Sequence, residues 1–128
     1  MNSLTSLSLA PPLVLVCFDL SSRTLHAVRE SGHFCINMLG AHQEDVSRRF
    51  ATKASQEQKF AESDYHVEQG APVIDDVLAW VVCSLDSEVT YGDHVIAVGK
   101  VIAGSVDEGA APLLFYRGTY VMPTAYEV

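Results

Sequence analysis

The chain has 128 residues, 48% of them hydrophobic and 19% charged, which is enough to bury one core and too apolar for a disordered tail. Eight Lys and Arg against sixteen Asp and Glu give a formal charge of −8. That argues against a general nucleic-acid binder, although a local cradle of positive groups and backbone N–H donors could still hold an anion.

The opening, Met1–Leu9, mixes hydroxyl residues with leucines and is broken by Pro11-Pro12. Leu13–Asp19 is a short β-branched and aromatic run, read as a buried strand. Ser21-Ser22 supplies an N-cap for a helix over Arg23–Glu30, with Leu25 and Val28 on one face, and Ser31-Gly32 ends it. Phe34–Leu39 reads as a second strand. Gly40 leads into a helix over Gln43–Thr52, where Val46 and Phe50 share a face and Arg48 and Arg49 fall largely off it. Residues 53–70 read as a loop with one helical turn around Gln58–Ala61. Leu78–Val89 and His94–Val106 are long β-rich runs joined by Thr90-Tyr91-Gly92-Asp93, a hairpin signal. Pro112–Tyr116 is a last short strand, and Arg117-Gly118 turns out of it. The expected class is mainly β with inserted helices. A βαβα series does not fit, because the second half has no segment of helical period.

The longest apolar run, around Leu13–Phe18, is about six residues, far short of the ~20 a membrane helix needs. No basic segment precedes an apolar one at the start, so no signal peptide is expected. Cys17, Cys35 and Cys83 are odd in number and widely spaced among apolar neighbours. They are expected to be buried thiols of a reducing compartment, which places the chain in the cytoplasm.

Several chemistries lack their motifs. There is no glycine fingerprint for a dinucleotide and no phosphate-binding P-loop, since Gly99-Lys100 is followed by Val101. No nucleophile elbow is present. The histidines at 26, 33, 42, 66 and 94 share no ligand spacing, so no metal is expected. An enzyme built on this chain would rely on a bound cofactor for its hard chemistry.

Four constellations remain, each with an ordinary alternative. Asn2, Ser3, Thr5, Ser6 and Ser8 offer amide and hydroxyl groups to a polar heteroaromatic ring, or form a solvated N-terminal strand. Ser21, Ser22, Arg23 and Thr24 lie at a strand-to-helix junction and suit an anion, or form a plain cap. Tyr91-Gly92-Asp93-His94 is either a site turn or a turn with a solvated histidine. Tyr116, Arg117 and Tyr120 form a cation–aromatic cluster at an edge.

The ordered set NSLTSLSLAPPLVLVCFDLSSRT, GHFCINML, EDVSRRFA, GDHVIAVGKV and PLLFYRGTY closely resembles the flavin reductase family, the short-chain NAD(P)H:flavin oxidoreductases of two-component monooxygenases. The resemblance runs from Asn2 to Tyr120. It implies one flavin reductase-like domain over 1–128, with the FMN-binding split β-barrel fold. It also implies FMN or FAD as the flavin, NADH or NADPH as co-substrate, a homodimer and a partner monooxygenase, with neither nucleic acid nor membrane as partner. In the resemblance, Asn2, Ser3, Thr5, Ser6 and Ser8 lie against the isoalloxazine ring and ribityl chain, and Ser21, Ser22, Arg23 and Thr24 approach the flavin phosphate. Asn37 and Phe50 border the flavin, and His94 is placed by the nicotinamide. Tyr116, Arg117 and Tyr120 form a C-terminal cluster near flavin and dimer contact.

Family members carry further strands, one of them similar to Gly-Val-Thr-Val-Val-Thr, before the Asn-Ser segment, whereas this sequence opens at Met1-Asn2. The expectation is a barrel lacking its usual N-terminal strands, whose uncovered edges favour a tight oligomer. A non-catalytic flavin-binding or structural dimer of the same descent is the alternative to a reductase. A split-barrel oxidase of the pyridoxamine-phosphate type fits the Gly92-Asp93-His94 turn less well.

Overall fold

A computed structural model of the chain describes residues 3–124. Nine strands and three helices follow one another among them. The order is β1 Leu4–Leu9, β2 Pro12–Asp19, α1 Arg23–Ser31, β3 His33–Met38, α2 Glu44–Phe50, α3 Gln56–Ala61, β4 Tyr65–Glu68, β5 Ala71–Ile74, β6 Ala79–Tyr91, β7 His94–Val106, β8 Leu114–Tyr116 and β9 Thr119–Val121. Five strands form one sheet in the order β1-β2-β7-β6-β3, while β4-β5 and β8-β9 are two-stranded. The class is therefore the expected one, mainly β with inserted helices. No helix among the described residues is long and apolar enough to cross a membrane.

The chain divides into two compact units. The first takes the residues up to Ile36, Val67–Pro72 and Val81–Gly104. Its core joins Val16 and Phe18 of β2, Leu25 and Val28 of α1, Phe34 and Ile36 of β3, Cys83 of β6, and Val95 and Ala97 of β7. Alternate residues of the strands point inward, as period 2 requires. Helix α1 has its predicted ends. The Ser22 hydroxyl accepts the Leu25 N–H at 3.2 Å, and Gly32 closes it in the left-handed region at φ 75°. Antiparallel β2 and β7 pair from Leu13 with Lys100 to Asp19 with His94.

The second unit takes Asn37–His66, Val73–Trp80 and the chain from Ser105 onward. Its smaller core holds Val46, Ile74 and Val77, with Leu39, Phe50 and Trp80 packed against it. Gln43 is buried, with its side chain accepting the Gly40 N–H at 2.9 Å and donating to the Asp75 carbonyl at 2.8 Å. It therefore sits just ahead of α2 as a tie between loops, without a side-chain cap, and α2 is shorter at both ends than its apolar spacing predicts.

The segment expected to be mostly loop is more ordered than its composition predicts. Helix α3 starts at Gln56, capped by Ser55, and Tyr65–Glu68 pairs with Ala71–Ile74 as strands. The turn after β8 is followed by a further strand, Thr119–Val121. The cysteines also differ from expectation. All three are free thiols, but only Cys83 is buried, and Cys17 and Cys35 are half-buried. Burial pushes the Cys83 thiol up to about 11.

Candidate functional site

In the first unit Ser3, the residues Ser21 to Thr24 and His94 lie toward one end of the sheet, while Thr5, Ser6 and Ser8 run away from it along β1. The register puts the start of β1 beside the end of β2, where the Cys17 N–H donates to the Ser3 carbonyl at 3.0 Å and the Ser3 hydroxyl donates to the Cys17 carbonyl at 3.0 Å. Along β1, Thr5 and Ser6 are exposed and Ser8 follows a bulge, so hydroxyls line an open strand. The Thr5 hydroxyl donates to the Ser6 carbonyl at 3.3 Å. Asn2 lies outside the described residues.

Two residues beyond Cys17, Asp19 ends β2 and faces His94 across the ladder. The Asp19 carboxylate accepts the Ser21 N–H at 2.8 Å and the Ser21 hydroxyl at 2.6 Å. The hydroxyl bond, then the N–H bond, hold Asp19 below the ordinary aspartate range, against desolvation, with a weaker pull the same way from His94. Ser21, expected at a phosphate, thus has its hydroxyl occupied by Asp19. The Ser22 hydroxyl oxygen acts as the cap of α1, accepting the Leu25 N–H at 3.2 Å. Arg23 and Thr24 open that helix.

The Asp93 carbonyl accepts the Leu20 N–H at 3.0 Å, which fastens the β6–β7 turn to the junction of β2 and α1. Gly92 at φ 57° makes that turn possible. His94 is half-exposed, with Nδ1 2.8 Å from an Asp93 carboxylate oxygen. The start of the hydroxyl strand, the helix start and the histidine turn therefore lie toward one end of the first unit's sheet, tied together through Asp19 and Asp93. The sequence reading gave these two acids no role. The Asp-x-Ser pattern of an Asx turn was the available signal for Asp19; its place opposite His94 depends on register.

In the second unit the predicted residues form a separate group. The Asn37 side-chain oxygen accepts the Ile74 N–H at 2.9 Å, so this residue ties β3 to β5. Phe50 packs edge-on to Phe60 with centroids 5.1 Å apart. The Tyr120 hydroxyl lies 2.7 Å from the Ser47 hydroxyl, and its ring carries Arg48 at 4.8 Å and the edge of Phe115 at 5.1 Å. Arg117, at the tip of the β8–β9 hairpin, lies over Tyr116 at 5.3 Å. Helix α2 thus carries Phe50 and fastens the hairpin through Ser47 and Arg48, two contacts the sequence reading missed. The same unit has a cleft of about 330 Å³ lined by His66, Asp75, Asp76, Trp80 and Asp107, among others. None of the predicted site residues lines it, and its acidic wall suits a phosphate-bearing ligand poorly.

The chain is similar to a probable flavin reductase of Rhizobium meliloti, 42% identical over 95% of this chain and 39% of that protein. It is 44% identical to the reductase subunit HsaB of a flavin-dependent monooxygenase of Mycobacterium tuberculosis, over 93% of this chain and 64% of that one. It therefore spans less than two thirds of either relative. Among solved structures, the NADH:FAD oxidoreductase SgcE6 of Streptomyces globisporus superposes with a TM-score of 0.90 at 30% identity, over 97% of this chain and 76% of that one. The fold is the split barrel shared by the flavin reductases. The profile of the flavin reductase like domain matches residues 1–123, and the chain belongs to that family.

Proposed function

We propose that the chain is an NAD(P)H:flavin oxidoreductase that reduces FMN, or FAD, and supplies reduced flavin to a partner monooxygenase. The observation that carries this reading is that the exposed β1 hydroxyls, the start of α1 and the His94 turn all belong to one unit, with Ser3, α1 and His94 toward the same end of its sheet. The donor chemistry fits a flavin. Thr5, Ser6 and Ser8 offer hydrogen bonds along an open strand, and the Ser22 hydroxyl, Arg23 and the N–H groups of α1 suit a phosphate. A flavin held there would supply the hydride-accepting chemistry, taking two electrons and one proton from NAD(P)H, which leaves as NAD(P)⁺.

The protein's own work is positioning. It holds two rings at reacting distance and offers N–H donors to the charge that develops on reduction. His94 orients the nicotinamide and needs to move no proton. In the second unit, Tyr116, Arg117 and Tyr120 belong to the subunit contact. We infer a homodimer because β1 ends the sheet with Leu7 and Leu9 exposed, and because Phe115 and Tyr116 are exposed on the hairpin. Three free thiols favour the cytoplasm. We treat 1–128 as one functional flavin reductase-like domain.

The test is aerobic NADH oxidation by the purified chain with and without FMN. A flavin-dependent rate is expected. No rate from a protein that still quenches FMN fluorescence would favour the non-catalytic flavin binder.

A further inference from the structure

We propose that the cleft between α2 and α3 binds a phosphate-bearing small molecule separate from the flavin, with the buried ammonium of Lys59 as its counter-charge. The cleft lies wholly within the second unit, and the proposed hydride transfer makes no use of it.

Lysine is ordinarily a surface residue, yet Lys59 is only 5% exposed. It stands on α3, and its Nζ reaches back to donate to the carbonyl of Phe50, the last residue of α2, at 3.1 Å. That contact satisfies an acceptor left open at a helix end. An ammonium has three N–H donors, however, and the carbonyl takes one. Among the described residues no carboxylate pairs with it, because Asp45 and Glu62 face Arg49 instead. A buried charge without an ionic partner is costly. Here the same charge lines a cleft of about 570 Å³, and an anion seated there supplies the partner. The other lining residues set its class. Arg48 and Arg49 bring the cations around the cleft to three, against two carboxylates. Asp45 and Glu62 stand at the rim with side chains 71% and 57% exposed, free to turn to water, as Lys59 is not. Arg49 is held in place. Its Nη1 donates to the Ser63 hydroxyl at 2.9 Å, which donates to the Lys59 carbonyl at 2.8 Å. Its other nitrogens lie 3.7 and 3.9 Å from the two acids, beyond hydrogen-bond length. Two guanidinium forks and one ammonium match the several oxygens of a phosphate better than the two of a carboxylate. The volume is that of a small-ligand pocket, so the phosphate is one carried by a small molecule.

The probe is inorganic pyrophosphate, titrated into the full chain at constant ionic strength and followed in amide ¹H–¹⁵N spectra. Amides of Thr52 to Lys59 should shift and saturate. Lys59→Met nearly keeps the volume and removes the charge. The lost charge-assisted hydrogen bond should weaken binding by roughly tenfold or more. That variant also strips the Phe50 carbonyl of its donor, so two others carry the test should it fail to fold. Arg48→Ala, at an exposed side chain, should weaken binding. Asp45→Asn combined with Glu62→Gln should tighten it. Each of these two effects should be roughly fivefold. A lysine that serves only the end of α2 would leave pyrophosphate binding indifferent to Arg48→Ala and to the loss of the rim acids, and that result overturns the proposal. So does a wild-type titration without saturation, or with shifts confined to Ser22, Arg23 and Thr24. The titration is then repeated with FMN at saturation. Shifts that persist support a second molecule, whereas shifts that vanish would assign the cleft to the flavin's own phosphate and overturn the separate site.

Discussion

Gly99 in β7 has no room for a side chain. A Cβ there would lie 2.5 Å from Cζ of Phe34 and 2.9 Å from Cβ of Cys83, and both neighbours are buried in the first unit's core. Gly99→Ala should therefore destabilise the chain by about 1–3 kcal/mol, read as a lower urea midpoint. Adding Phe34→Leu should cost less in that background than in the wild type, since it removes the clashing ring. An unchanged midpoint for Gly99→Ala would show that Phe34 can swing aside. Glu88 gives a second expectation at this scale. Arg29 grips its carboxylate through Nε at 2.9 Å and a terminal nitrogen. The hydrogen bond to Arg29, more than desolvation opposes it, holds Glu88 below the ordinary glutamate range. A depressed carboxyl adds stability that is present above the unfolded pKa, ~4.3, and is lost as pH falls through the folded one. The stability difference between wild type and Glu88→Gln should thus be full at neutral pH and vanish in acid. A difference that persists in strong acid would point to packing of the side chain instead.

Helix α1 shows how one residue can serve an element and a ligand together. Ser22 caps it, and the same hydroxyl proton is the proposed donor to a flavin phosphate. Ser22→Ala removes both, at about 1 kcal/mol of stability. Ser22→Asp separates them. Aspartate caps as well as serine, so stability should hold, while its charge should weaken FMN far more than riboflavin, which has no phosphate. Equal weakening of the two flavins would remove α1 from the phosphate site. The ends of α1 were legible in the sequence because cap and stop signals are local, a Ser before the helix and a left-handed Gly after it. The long strands β2, β6 and β7 were legible from their apolar runs. Strands β4, β5 and β9 were not, because three or four residues give no usable period and their partners decide them. Asn37 was expected to border the flavin, yet its bond to Ile74 spans 37 positions and no local rule predicts it. His94 was expected at the nicotinamide from its motif, and Asp93 beside it was given no role. The facing of Asp19 and His94 was not legible, since it depends on the register of two distant strands.

For the whole molecule, the question is how tightly a chain of net charge −8 should hold an anionic flavin. The proposed role sets the answer. Reduced flavin that serves another protein has to leave at least as fast as the enzyme turns over, ~10 s⁻¹. With association at ~10⁶ M⁻¹s⁻¹, Kd should be around 10 µM, or about −7 kcal/mol. The structure agrees with modest binding. The β1 hydroxyls proposed for the flavin lie on an exposed strand, and the acid Asp19 stands beside the start of α1 proposed for its phosphate. A buried, fully satisfied cradle would hold the ring far longer. The chain should therefore purify without colour, and a fluorescence titration should give a micromolar Kd for FMN. A yellow protein with nanomolar affinity would mean that the flavin stays through turnover. Hydride would then have to pass on to a second acceptor at the same site, and the role of supplying flavin to a separate oxygenase would fall.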